Sequence, residues 1–168
     1  MSAETSSQSA VSWKDFILVC VYGPLILLQI VLAITSHNYL GLTCALIGGL
    51  IFFLLFLIVG ALPRYEFKKR GGVGEGKSYI HTTTVVDTGI YAIVRHPQFL
   101  SWILLSLALA FLSQYWLSVL CVVPVTVLIY VEALREDKSN CEKFGNDYKE
   151  YMQRVPRLNP LVGIFRLF

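Results

Sequence analysis

The chain has 168 residues, of which 55% are hydrophobic and only 15% are charged. A soluble domain of this size usually has about 25% charged residues. Three stretches, 16–35, 39–63 and 97–131, contain no Asp, Glu, Lys or Arg. Uncharged apolar stretches of more than about 18 residues are typical of membrane spans. The composition therefore excludes an ordinary soluble domain and indicates one domain that crosses a bilayer several times.

The first two stretches predict membrane spans at 16–35 and 39–63. Residues 1–15 are rich in serine and have Lys14 as their single basic residue. A signal peptide has a basic start, a shorter apolar stretch and a cleavage site of small residues. Because the sequence fits none of these features well, we expect 16–35 to be a retained span.

The third stretch is too long for one span. As a single helix, 97–131 would measure about 52 Å, whereas the hydrocarbon layer of a bilayer is about 30 Å thick. The polar residues 113–115 are the best place for the chain to fold back. We therefore predict a tight helical hairpin of spans 97–112 and 116–134, within an all-α integral membrane fold of four to five transmembrane helices.

The basic residues predict the orientation of these spans. One Lys precedes the first span, six Lys and Arg lie in 64–96, and seven follow in 135–168. The connections near 36–38 and 113–115 have none. Loops rich in Lys and Arg stay on the cytoplasmic side. We therefore expect both termini, the loop and the tail to be cytoplasmic, and the loop and tail to form a cofactor-binding lobe.

Three parts of these polar segments have recognisable patterns. Residues 71–78 match the phosphate-binding pattern G-x-x-x-x-G-K-[ST], but no strand–loop–helix unit surrounds them, so a flexible linker is favoured over a nucleotide site. Residues 79–86 are rich in β-branched and aromatic types, which predicts extended chain. Residues 138–152 predict an interfacial amphipathic helix that is interrupted near Gly145.

The segment before the third span predicts a helix start that can bind an anion. Pro97 is well suited to the first helical position, and His96 precedes it. The N–H groups of residues 98–100 would then be free for a carboxylate or phosphate. The alternative is an ordinary helix start, in which Arg95 only sets the topology and His96 is solvated.

A cluster of charges follows the last span. Glu132 and Glu136 are four residues apart and so lie on one helix face, and Arg135 is close to both. Because Glu132 directly follows apolar residues, we place it at membrane depth, where a carboxylate is costly and indicates function. The alternative is a simple ion pair between Glu132 and Arg135 where the helix leaves the bilayer.

Together these residues resemble the isoprenylcysteine carboxyl methyltransferase family. The resemblance covers residues 77–157, and the chain looks like a short prokaryotic member. It is carried by four motifs, in this order: Thr88-Gly89-x-Tyr91, Arg95-His96-Pro97, Glu136-Asp137, and Phe144-Gly145-x-x-Tyr148-x-x-Tyr151-x-x-x-Val155-Pro156.

The resemblance implies that the chain binds S-adenosylmethionine. Carried over by motif position, the residues around this cofactor are Thr83, Thr84, Val85, Val86, Tyr91, His96, Pro97, Gln98, Phe99 and Glu136. The helix start suits the carboxylate of the cofactor, Glu136 suits its ammonium group, and Tyr91 offers an aromatic face. No metal and no nucleic acid is implied.

The resemblance further implies methyl transfer to the C-terminal carboxylate of an S-prenylated cysteine that enters from the bilayer. A carboxylate is ionised at pH 7, so no catalytic base is needed, only alignment and removal of water. Glu132 and Arg135 are the expected substrate-binding residues. Two positions depart from the family pattern, since Phe99 replaces a tyrosine and Glu132 replaces an arginine.

Three other functions stay open. The chain could methylate a phospholipid amine, with Glu132 as the base that removes a proton. Its tail, from Arg135 to Pro156, is also similar to the C-terminal motif of membrane sterol reductases, which bind NADPH. Finally, it could be a non-catalytic four-span scaffold.

Overall fold

The computed structural model describes residues 13–70 and 84–167. Thr83, the phosphate-loop-like pattern at 71–78 and most of the predicted extended segment lie outside these residues. All regular elements of the described part are helical, as predicted. They are α1 (Trp13–Thr35), α2 (Thr43–Arg70), a 3₁₀ helix (Gly89–Ala92), α3 (Pro97–Ser113), α4 (Trp116–Phe144), α5 (Asn146–Arg154) and α6 (Pro160–Phe165).

The apolar helices of the chain indicate a membrane protein. Among the described residues, two helices are long and apolar enough to cross a bilayer, Thr43–Glu66 and Trp116–Phe144. Two apolar helical stretches, Cys20–Thr35 and Pro97–Ser113, are shorter. With 17 residues, α3 is about 26 Å long, slightly less than the hydrocarbon thickness of about 30 Å. The number of spans, and the cytoplasmic side predicted for the loop, the tail and both termini, are predictions from the sequence.

The helical hairpin folds back where the sequence predicted it. Gln114 adopts a left-handed conformation (φ 53°) between α3 and α4, and Asn38 does the same between α1 and α2. Gln114 Nε2 donates to Asn38 Oδ1 at 2.7 Å. Gln114 also accepts from the Leu42 N–H at 3.0 Å and donates to its carbonyl at 2.9 Å. The two connections that lack basic residues therefore meet at one end of the bundle.

Helices α2 and α4 continue well beyond the predicted ends of their spans. α2 starts at Thr43 instead of residue 39 and continues past Pro63 to Arg70. α4 continues past residue 134 to Phe144. The loss of hydrophobicity marks where a helix leaves the bilayer, but a helix keeps its backbone hydrogen bonds in water as well. Both polar extensions lie at the end that carries the basic residues.

Helix α3 is central and packs against α1, α2 and α4. Small residues allow α2 to approach it closely, since a Cβ added at Gly49 would lie 2.9 Å from Leu112 Cγ, and one at Gly60 would lie 3.5 Å from Ser101 Oγ. Between α1, α3 and α4 the core is apolar, with Val125 and Ile129 fully buried. The outward side of α2 is also apolar, as expected for contact with lipid.

A polar side chain within this core, that of Gln29, connects α1 to α3 and α4 by hydrogen bonds. Gln29 is fully buried in α1. Its Nε2 donates to the carbonyls of Ser106 at 3.2 Å and Ser118 at 2.9 Å, while Ser106 Oγ donates to Gln29 Oε1 at 2.8 Å. Hydrogen bonds between helices are a common source of association in membranes. Gln29 thus fixes α1 to both arms of the hairpin.

The tail folds back on the loop before α3. Gly145 breaks the helix with a positive φ of 62°, where the sequence predicted an interruption. Beyond it, Tyr148, Tyr151 and Val155 form a buried cluster against which Val85 packs. The prediction that this apolar face meets the membrane is therefore wrong, because the face is covered by protein.

Candidate functional site

A buried carboxylate connects the loop, α4 and the tail at the basic end of the bundle. The side chain of Asp137 is 5% exposed. Its Oδ1 accepts hydrogen bonds from His96 Nε2 at 2.7 Å, Tyr148 Oη at 2.9 Å and Arg95 Nη1 at 3.1 Å. Its Oδ2 accepts from Arg157 Nε at 2.7 Å. The Asp137 network, as we call these five residues, therefore joins the loop, α4 and the tail.

Backbone hydrogen bonds hold the same segments in register. The N–H of Arg95 donates to the Pro156 carbonyl at 3.0 Å, and that of His96 donates to the Arg157 carbonyl at 3.2 Å. Tyr151 Oη donates to the carbonyl of Tyr91 at 2.7 Å. The start of α3 is therefore positioned by the tail, which lies 60 residues away in the sequence.

The Asp137 network keeps its carboxylate ionised. Burial on its own would raise the pKa of Asp137, but the hydrogen bonds from His96 and Arg157 and the positive charge nearby lower it to about 2. Both of its oxygens already accept hydrogen bonds. Asp137 consequently organises the site and has little capacity left for a ligand.

The neighbouring carboxylate, that of Glu136, is more exposed to solvent than that of Asp137. The Glu136 side chain is 49% exposed, and its Oε1 lies 3.8 Å from His96 Nδ1. Tyr91 is buried. Burial raises the pKa of Tyr91, and the negative charges of Glu136 and Glu66 raise it further, because they disfavour a phenolate. The structure thus brings three predicted cofactor residues, Tyr91, His96 and Glu136, to one edge of the Asp137 network.

The alternative of an ordinary helix start, with His96 solvated and Arg95 only setting the topology, does not fit the structure, because both side chains are buried. Arg95 is 7% exposed and His96 4% exposed. Arg95 Nη1 is bonded to Asp137, but no atom of the described residues accepts a hydrogen bond from Arg95 Nε, which is also buried. Buried donors are nearly always paired, so this one indicates a missing acceptor.

Helix α3 begins at Pro97, as predicted, with His96 as its N-cap residue. The Leu100 N–H already donates to the His96 carbonyl at 3.1 Å. The prediction of free N–H groups at 98–100 is therefore wrong for residue 100, and Gln98 and Phe99 are the remaining ones. The rings of His96 and Phe99 stack with centroids 5.5 Å apart, so Phe99 serves as an apolar contact for the imidazole.

The other predicted cofactor residues lie before the 3₁₀ helix and on the first turn of α3. Thr84 is exposed, Val85 packs against the buried tyrosines of α5, and Val86 is 8% exposed. The two valines fill the interior of the loop and tail. Gln98 is exposed on the first turn of α3, next to the buried Pro97.

The two predicted substrate residues face different environments. Glu132 is 9% exposed, one turn from Glu136 towards the apolar part of α4. Its charge is close enough to Tyr22 of α1 to interact with it. Arg135 is exposed on α4. Glu132 therefore lies inside the bundle beneath the Asp137 network, whereas Arg135 points to its surface.

Sequence reasoning missed most of the organising residues. Asp137, Tyr148 and Tyr151 were noticed as parts of motifs but were given no role, and Arg157 was counted only as a topology charge. No local signal identifies Arg157 as a partner of Asp137, because the contact depends on the fold of the tail. For Asp137 a signal exists, since it directly follows Glu136 in a helix and is therefore turned by about 100° from the face that Glu132 and Glu136 share.

An apolar cleft of about 770 Å³ lies at the opposite end of the bundle. Residues of α2, α3, α4 and the two connections at this end line it, among them Leu42, Phe111, Trp116 and Leu120. The lining has Gln114 as its polar amide and no ionisable group other than the Tyr39 phenol. The carboxylates of α4 therefore lie away from this cleft, at and beneath the Asp137 network.

Comparison with protein families matches residues 45–147 to the family described as Phospholipid methyltransferase. This range is more than half of the chain. It includes the Arg95-His96-Pro97 helix start and both Glu136 and Asp137, but ends before Tyr148 and Arg157. Neither the curated proteins nor the solved structures gave a match. The matched family is related to the isoprenylcysteine methyltransferase superfamily that the sequence resembles.

Proposed function

The chain belongs to the phospholipid methyltransferase family, and on this premise we propose that it methylates the amine head group of a phospholipid with S-adenosylmethionine. Membership of the family supports a membrane methyltransferase. The observation that carries the choice of acceptor is Glu132, a carboxylate buried inside the bundle one turn below the cofactor residues.

The residues around the Asp137 network fit the methyl donor. Glu136 has an exposed carboxylate that would accept hydrogen bonds from the donor's ammonium group. The buried Arg95 Nε lacks an acceptor among the described residues, and the donor's carboxylate would supply one. The N–H groups of Gln98 and Phe99 at the start of α3 favour the same negative charge. When bound, S-adenosylmethionine supplies an electrophilic methyl group on a sulfonium.

Glu132 favours an amine as the acceptor. A buried carboxylate attracts an ammonium group and repels a substrate carboxylate, and this effect is stronger away from water. Arg135, the cation expected to bind a prenylcysteine carboxylate, lies on the exposed surface of α4. The electrostatics beneath the Asp137 network therefore suit a cationic head group.

The chemistry assigned to Glu132 is proton removal. A primary amine has a pKa of about 10, similar to that of lysine, so at pH 7 its nitrogen is protonated and has no lone pair to attack with. Glu132 accepts this proton, and the nitrogen forms a new C–N bond as the C–S bond to the methyl group breaks. The apolar bundle around Glu132 excludes water from the reacting atoms.

Methylation of an S-prenylcysteine carboxylate is the second candidate. It is favoured by the tail motif from Tyr148 to Pro156, which lies outside the range matched to the phospholipid family and resembles the prenylcysteine enzymes. In this reaction Glu132 would have no proton to remove, and the rate would depend little on pH between 6 and 9 because the acceptor is already ionised.

The two candidates are distinguished by one assay. The protein is placed in phosphatidylcholine nanodiscs that contain either phosphatidylethanolamine or a farnesylated cysteine, and transfer of radiolabelled methyl groups is measured against pH. We expect methylated phosphatidylethanolamine, a rate that rises with pH, and a loss of about 10²-fold or more in rate for Glu132→Gln. Arg135→Gln is the matched control and should keep most of the activity. Base-labile methyl ester on the farnesylated cysteine, with no labelled phospholipid, would refute the amine assignment.

A further inference from the structure

Helix α6 and the residues after it have an unusually apolar surface. Five large apolar side chains between residues 161 and 167 are exposed. They are Leu161, Val162, Ile164, Phe165 and Leu167. Phe165 is 83% exposed and Leu161 is 68% exposed. Contiguous apolar surface of this kind marks a contact with a membrane or a partner.

Contacts of Arg157 locate this part of the tail relative to the bundle. Arg157 Nη1 donates to Tyr130 Oη at 2.9 Å, and its guanidinium lies 5.3 Å from the centre of the Tyr130 ring. Tyr130 belongs to the uncharged stretch that ends at residue 131 and is 45% exposed. The carbonyl of Arg157 is bonded to His96 at the start of α3. The tail therefore returns to the level where α3 and α4 pass into their apolar parts, and α6 starts three residues later.

Contacts with the loop before α3 and with the end of α5 determine which side of α6 faces the protein. Gly163 is buried against the loop before α3, and a Cβ there would overlap the carbonyl oxygen of Ile93. The Asn159 side chain caps the helix by accepting from the Val162 N–H at 3.1 Å. Arg166 Nη1 donates to the Gln153 and Arg154 carbonyls, each at 3.3 Å. With its one glycine facing the protein, α6 must turn its large apolar side chains outward.

We propose that α6 is an in-plane membrane anchor, with Leu161, Ile164 and Phe165 inserted at the boundary between head groups and acyl chains. The occupant of this apolar surface is the bilayer itself, because α6 begins three residues after Arg157, whose side chain contacts Tyr130 in the apolar part of α4. Helices that lie in the plane of a bilayer bury an apolar face at this boundary. The anchor would hold the loop before α3, and with it the Asp137 network, against the membrane surface. It does not depend on which acceptor is methylated.

Tryptophan fluorescence of the full-length protein in nanodiscs tests the proposal. Phe165→Trp places a reporter on α6, and Lys149→Trp places a matched one on the exposed surface of α5. The emission added by each new tryptophan is obtained by subtracting the parent spectrum. Nanodiscs made with lipids brominated along their acyl chains should quench the signal from position 165 strongly, and aqueous iodide should leave it nearly unchanged. Position 149 should show the opposite pattern.

Two results would overturn the anchor. Quenching of the position-165 signal by iodide but not by brominated lipid would show that α6 lies in water. Protection from both quenchers, together with crosslinking between copies at this position, would show that a second copy of the chain covers the surface. Because Phe165 is almost fully exposed, its replacement leaves the packing of the bundle unchanged, and either result can be attributed to the surroundings of α6.

Discussion

Replacement of Asp137 by asparagine tests whether the Asp137 network holds the site together. Asparagine has the same shape but no charge, and its amide nitrogen would face either the Arg157 donor or the three donors at the other oxygen. Both guanidinium groups, of Arg95 and Arg157, would lose their counter-ion at a position that is 5% exposed. Breaking a buried ion pair by removing one partner typically costs about 3–5 kcal/mol.

This loss is large enough to measure as a change in thermal stability. For a chain of this size, 1 kcal/mol corresponds to about 2–4 °C, so the apparent Tm of Asp137→Asn should fall by roughly 6–20 °C. Binding of S-adenosylhomocysteine should weaken as well, because the start of α3 loses its support from the tail. The measurement is a thermal scan of detergent-purified protein, followed by calorimetric titration well below the lower Tm.

Glu142→Gln is the control for this experiment, since Glu142 is an exposed carboxylate on the same helix. Its Tm should change by less than the equivalent of about 0.5 kcal/mol. If Asp137→Asn were as stable as Glu142→Gln and bound S-adenosylhomocysteine like the parent, Asp137 would not organise the site.

Three further predictions concern ligand, pH and topology. Glu136→Gln should leave the Tm unchanged and weaken S-adenosylhomocysteine binding about ten- to hundredfold, since a charge-assisted hydrogen bond contributes about 1.5–3 kcal/mol. His96→Ala should also weaken this binding. Titrations like those of the parent for both variants would show that neither residue belongs to the cofactor site. Because the pKa of Asp137 is lowered from 3.8 to about 2, the network contributes stability above about pH 4, and about 2 kcal/mol of it should be lost as the pH falls towards 2. Denaturation midpoints should show this loss in the parent, whereas an equal loss in Asp137→Asn would contradict it. In a cysteine-free background, His37→Cys should react with an impermeant thiol reagent from outside the cell and Asn146→Cys only after permeabilisation, and the reverse pattern would invert the proposed topology.

The features predicted correctly from sequence are those with local signals. The helix start at Pro97 and the interruption at Gly145 each depend on one residue whose backbone preferences differ from those of its neighbours. The fold-back depends on the polar residues 113–115 within an apolar stretch that is too long for one span. The four apolar helices follow from uncharged stretches, because burying charge in lipid is costly. These signals need no knowledge of the tertiary fold.

The features that were missed depend on contacts between distant segments. Asp137 pairs with His96, 41 residues away, and with Arg157, 20 residues away. Nothing near Arg157 in the sequence distinguishes it from the other basic residues of the tail. The apolar residues of α5 were assigned to the membrane because periodicity shows that a helix has an apolar face but not what covers that face.

Three of the four acidic residues of α4, Glu132, Glu136 and Asp137, show how position on one helix separates their roles. Glu132 and Glu136 are one turn apart on the same face, but the first is 9% exposed, and the second has a side chain that is 49% exposed. Asp137 is turned by about 100° from Glu136, which directs it to the donors of the loop and tail. A carboxylate that is fully hydrogen-bonded can organise a site, one that is half exposed can bind a soluble ligand, and one inside the bundle can act on a substrate that arrives through the bilayer. Exchange of Glu132 and Asp137 between these environments is impossible without moving the helix, so the roles follow from helical geometry together with burial.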